Sequence, residues 1–119
     1  MKRIVAAVAL AALLFPSIAA ARPSGDAVYL VTPDPHWGDV ATFGVITDEP
    51  YPVVSVYCYQ DEALVFSASG PTYGPAAPFS TTLASLSWTG GSASCSALLR
   101  VLRHHNVVTL AETAFDVAG

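Results

Sequence analysis

Lysine is almost missing from this chain. Lys2 is the one lysine, and Lys and Arg together supply 5 of 119 residues. Charged residues reach only 12%, against a usual share of about 25%. So thin a charge excludes a disordered acidic or basic tail. It also excludes a nucleic-acid binder that works by neutralising phosphates, because too few cations are present to displace counterions. Apolar spacing of the i, i+3, i+4 kind is nowhere sustained between caps, which excludes a long helix. No internal repeat, low-complexity tract or phosphate-cradling glycine loop occurs. A chain of 119 residues fits one domain, not a multidomain enzyme.

Hydrophobic residues, by contrast, make up 53%, and the N-terminus concentrates them. Lys2 and Arg3 precede an apolar run from Ile4 to Phe15; Pro16 breaks it, and Ser17, Ala19, Ala20 and Ala21 follow. A positive end, an apolar core and an A-x-A site are the layout of a secretory signal peptide over residues 1–21. Cleavage is expected after Ala21, with Ala19 as the alternative. An uncleaved transmembrane anchor needs about 20 apolar residues, whereas Ile4 to Ala21 holds 18 and is interrupted by Pro16. No cysteine lies near the site for lipid attachment, and the end Phe115-Asp116-Val117-Ala118-Gly119 carries no apolar tail. A secreted, extracellular protein with no membrane anchor after cleavage is expected.

Cleavage leaves Arg22, Arg100 and Arg103 as the basic residues against nine acids, a net charge of −6 over residues 22–119. That field repels nucleic acid and anionic lipid and favours solubility. Export also gives the two cysteines a meaning. Cys58 and Cys95 have no Cys-x-x-Cys or His-x-x-x-His spacing around them, so zinc and redox readings are poor and one structural disulfide is expected. In the chain-entropy model that bond contributes about 4 kcal/mol, a large share of the roughly 5–15 kcal/mol of a small domain.

Turn signals recur every ten or so residues, between runs rich in Val, Thr, Tyr and Phe. Ala27–Thr32 reads as a first strand, closed by Pro33-Asp34-Pro35. Asp39–Thr47 reads as a second, with Ala41, Phe43 and Val45 on one face. Val53–Gln60 is the strongest, placing Val54, Val56 and Cys58 opposite Ser55, Tyr57 and Tyr59. Asp61-Glu62 turns the chain into Ala63–Ser69, and Ser69–Pro78, with two glycines and three prolines, is a loop. Phe79–Trp88 is strand-like and Thr89-Gly90-Gly91 a turn. Ala93–Leu102 alternates Ala93, Cys95, Ala97, Leu99 and Val101 with Ser94, Ser96, Leu98, Arg100 and Leu102, although Leu98–Arg103 alone also fits a helical turn. His104-His105-Asn106 turns into a last strand, Val107–Val117.

About seven short strands with such turns predict an all-β, antiparallel β-sandwich as a single domain over residues 22–119. From Ala27 to Val117, strand count, spacing and the Cys58/Cys95 pair make the sequence resemble immunoglobulin-like or fibronectin-III-like domains. The stretch SWTGGSASCSA is similar to small secreted Ig-like proteins of unknown function from actinobacteria and their phages. Two features depart from the antibody type: Trp88 lies just seven residues before Cys95, and Ala93 stands two before it where a tyrosine corner has Tyr. Cys58 falls on the third strand. The resemblance then implies a bond between third and sixth strands, neighbours in one sheet, and not a bond between sheets.

Chemistry-bearing clusters are sparse. Asp34, His36 and Asp39 hold oxygen and nitrogen ligands, but the prolines around them describe a turn better than a three- or four-ligand site. Asp48-Glu49 and Asp61-Glu62 lack the spacing of a calcium loop. His104 and His105 have no orienting acid or nucleophile nearby in sequence, and Gly-Gly-Ser-Ala-Ser is not Gly-x-Ser-x-Gly. No catalytic residue, metal or cofactor is expected. Recognition is easier to motivate. With both cysteines turned into the core, Tyr57, Tyr59, Ser94, Ser96, Leu98 and Arg100 share the outer face of one sheet, a Tyr/Ser/Arg mixture common at binding surfaces. Tyr73 in the loop is a second contact candidate. The expected function is a non-catalytic binding or adhesion module for an extracellular protein or glycan. The alternatives are a small protease inhibitor presenting residues 70–78, and a hydrolase using His36 or His104/His105.

Overall fold

The computed structural model describes residues 25–72 and 78–119. The expected signal segment 1–21, and Tyr73 with residues 74–77 of the expected loop, lie outside the described residues. Among the described residues there are seven strands and no helix: β1 (Ala27–Leu30), β2 (Val40–Ile46), β3 (Val53–Gln60), β4 (Ala63–Pro71), β5 (Phe79–Thr82), β6 (Ala93–Arg103) and β7 (Asn106–Val117). They form two antiparallel sheets, in the orders β1-β2-β5 and β4-β3-β6-β7.

Period-2 alternation decides the faces. Ala41, Phe43 and Val45 on β2, Val54, Val56 and Cys58 on β3, and Ala93, Cys95, Ala97, Leu99 and Val101 on β6 are all buried. The two inner faces meet in one core; Phe43 touches Phe79 within its own sheet and Phe115 of the facing sheet, with ring centroids 6.3 and 5.5 Å away. Cys58 and Cys95 stand directly opposite each other on β3 and β6 and are bonded, Cα atoms 4.0 Å apart. The disulfide therefore joins neighbours within the four-stranded sheet, as the resemblance implied.

Three expectations are corrected. The loop expected from Ser69 begins only after Pro71, because β4 stays paired with β3 through Val53↔Pro71. The strand expected over Phe79–Trp88 ends at Thr82. Leu83 and Trp88 are both wholly buried, yet they are five positions apart, and a continuous strand would send them to opposite faces. A tight turn with Trp88 N–H bonded to Ser85 O (3.2 Å) resolves the conflict by bringing the indole back inward. The helical turn that Leu98–Arg103 also fitted does not form, because β6 stays paired with β7 through Arg103↔Asn106. Single-residue irregularities in β4 near Val65 and β7 near Leu110 shift the registers, between Cys58/Tyr59 and Leu99/Arg100. Neither was visible in the alternation.

Candidate functional site

The outward residues of the four-stranded sheet line up in cross-strand rows from β4 to β7. Register places Leu64, Tyr59, Ser94 and Asp116 in one row, and Ser67, Tyr57, Ser96 and Ala114 in the next. Ser69, Ser55, Leu98 and Glu112 follow, then Pro71, Val53, Arg100 and Thr109. All six expected face residues on β3 and β6 therefore share one surface. Tyr59 is 41% exposed, Ser94 is exposed, and Tyr57, Ser96, Leu98 and Arg100 are partly buried.

Arg100 organises the middle of this face. Its Nη1 donates to the Tyr57 hydroxyl at 3.2 Å, and its guanidinium carbon lies 5.5 Å from the centre of the Tyr57 ring. The two groups thus hold each other by a hydrogen bond and a cation–π contact. Nε of the same side chain is enclosed without a hydrogen-bond partner. Beside it, the Ser69 hydroxyl donates to Ser55 Oγ at 2.9 Å, which accounts for a serine buried on an outward position.

Cavities open at both ends of the face. At the end where β3 finishes, a cleft of about 560 Å³ is lined by Tyr59, Asp61, Ser94 and Asp116. Gln60 forms part of its wall and is locked there, donating through Nε2 to Gly90 O and Ser92 O at 2.9 and 3.0 Å. At the other end an apolar pocket of about 230 Å³ lies among Tyr51, Val53, Arg100, Leu102 and Val107. The sequence reading missed Tyr51, Val53, Leu102 and Val107 as parts of this surface. Alternation on β6 already put Leu102 beside Arg100, but Val107 joins only through the β6–β7 register.

The histidines are kept apart. The loop carrying His36 bridges to Ala118 after β7, with Trp37 N–H bonded to Ala118 O at 2.7 Å. His104 and His105 lie at the far end of β6, whose 11 residues span about 35 Å at the usual rise. Asp39 serves the loop: its Oδ2 accepts from the His36 backbone N–H at 2.8 Å and lies 4.0 Å from His36 Nδ1. No group of three or more His, Cys, Asp or Glu able to hold a metal occurs among the described residues. Tyr73 lies outside them.

The class defined so far is an all-β protein of two packed antiparallel sheets stapled by one disulfide. No family model matches the chain, and no curated protein or solved structure matches it.

Proposed function

We propose that this chain is an exported, non-catalytic recognition module of immunoglobulin-like or fibronectin-III-like type, which binds an extracellular protein or glycan through the outer face of its four-stranded sheet. The observation that carries the reading is the composition of that face: a Tyr57–Arg100 pair, Tyr59 and Leu98 among small serines, exposed or half-exposed on the broader sheet. Tyr and Arg are the side chains that dominate binding energy at interfaces, and serines let a partner approach closely. Sheet order supports the fold type. Third, sixth and seventh strands share a sheet as in immunoglobulin domains; the fourth pairs with the third here, whereas the constant type places it with the first, second and fifth. An N-terminus with signal-peptide layout and a disulfide support export.

The test is affinity capture by the immobilised protein from cell-envelope and culture extracts, beside its Tyr57→Ala/Tyr59→Ala variant. Loss of the retained partner with a melting temperature within a few degrees of the parent is expected. If binding and fold collapse together, the tyrosines are cross-strand sheet stabilisers and the reading fails.

A further inference from the structure

We infer that Arg100 and the apolar pocket beside it form a docking point for a polypeptide that carries a carboxylate next to an aliphatic or aromatic side chain. This rests on the outer-face reading and names the partner's chemistry. Among the described residues Arg100 is a cation without a counter-ion. Every Asp and Glu of the chain lies among the described residues, and none of them forms an ion pair with Arg100, whereas Glu49 pairs with Arg103. Glu49 thus neutralises the neighbouring arginine, while Arg100 has a phenol hydroxyl, a ring face and an unbonded Nε.

A guanidinium partly withdrawn from water loses hydration that one neutral hydrogen bond and a ring face restore only in part. A carboxylate restores it best, because its two oxygens match the planar fork of the guanidinium. The pocket next to this cation has room for one side chain of leucine or phenylalanine size. Its walls are the exposed Tyr51 (84%), Leu102 (68%) and Val107 (65%) together with Val53. An anionic sugar would supply the charge but little apolar surface to cover these walls. A peptide residue supplies both parts. On a protein whose other charges are mostly negative, Arg100 is also the place where an acidic partner finds attraction.

The probe is N-acetyl-L-leucine, which joins a carboxylate to an isobutyl group, titrated into the 15N-labelled protein beside N-acetyl-L-leucinamide. Saturable shifts of the Val53, Arg100, Leu102 and Val107 amides and of the Arg100 Nε–H signal are expected, with the amide at least tenfold weaker. Arg100→Gln should abolish the response and Arg100→Lys weaken it several-fold. Leu102→Ser, at an exposed position with no part in the core, should weaken it as well and covers the case in which the Arg100 variants fold poorly. Equal binding of both probes, or shifts elsewhere, would overturn the proposal. So would a dimer in sedimentation that Arg100→Gln disperses, since the carboxylate would then come from a second copy. If acetyl-leucine fails while Tyr57→Ala/Tyr59→Ala still loses its captured partner, this proposal falls and the outer-face reading stands.

Discussion

Trp88 has no solvent exposure, and its polar groups are all engaged. Its Nε1 donates to Gly91 O at 3.0 Å, its carbonyl accepts from Trp37 Nε1 at 2.9 Å, and its ring meets Phe66 edge-on at 6.0 Å. Gly91 can turn its carbonyl to the indole because it sits at φ 90°, a conformation costly for residues with a Cβ. Trp88→Ala is therefore expected to lose about 3–5 kcal/mol, read as a lower urea midpoint. Trp37→Phe, which removes one hydrogen bond from a half-exposed ring, should lose about 1 kcal/mol. Equal losses would mean that Trp37 is the true keystone. Neither role was legible along the chain: Trp88 reads as the end of a strand, and its partners are set by a turn that exists to satisfy two buried positions of opposite parity.

Hairpins β3–β4 and β6–β7 close through two-residue turns made without glycine. Asp61 and Glu62 take φ of 50° and 71°, and His104 and His105 take 51° and 69°. Such turns suit the twist of the flanking strands but need left-handed backbone at both positions, for which Asn-Gly is the favoured pair. Left-handed geometry costs a non-glycine residue roughly 1–2 kcal/mol. Replacing His104-His105 by Asn-Gly should therefore raise unfolding stability by about 1–2 kcal/mol, measured by denaturant titration. No gain would show that the histidine side chains contribute as much as their backbone strain costs. The turns themselves were legible from Asp61-Glu62 and His104-His105-Asn106. Pairing of Arg103 with Asn106 was not, because the loop length that closes a hairpin depends on the register of the strands it joins.

Taken as a whole, the sandwich is held by its shared core, with the disulfide confined to one sheet. Phe43 and Phe115 bridge the sheets, whereas Cys58–Cys95 reinforces a pair of strands already hydrogen-bonded. Replacing both cysteines by alanine is expected to lower stability by about 2–5 kcal/mol while leaving a native-like near-ultraviolet spectrum at low temperature. A collapsed spectrum at every temperature would mean that the bond is required to form the core itself.

Strand number, the inward face of β2, β3 and β6, and the pairing of two lone cysteines were determined by the sequence alone, because side-chain alternation is local and two thiols allow one bond. Alternation states which side of its own strand a residue takes, but not which strand lies beside it. Only the tertiary structure decided that Tyr51 and Val107 join Arg100 and Leu102 around one pocket. It also decided that Glu49 pairs with Arg103 and leaves Arg100 without a counter-ion among the described residues. Those outcomes follow from register, which is settled by burying the whole core at once and shifts by a residue at each irregularity.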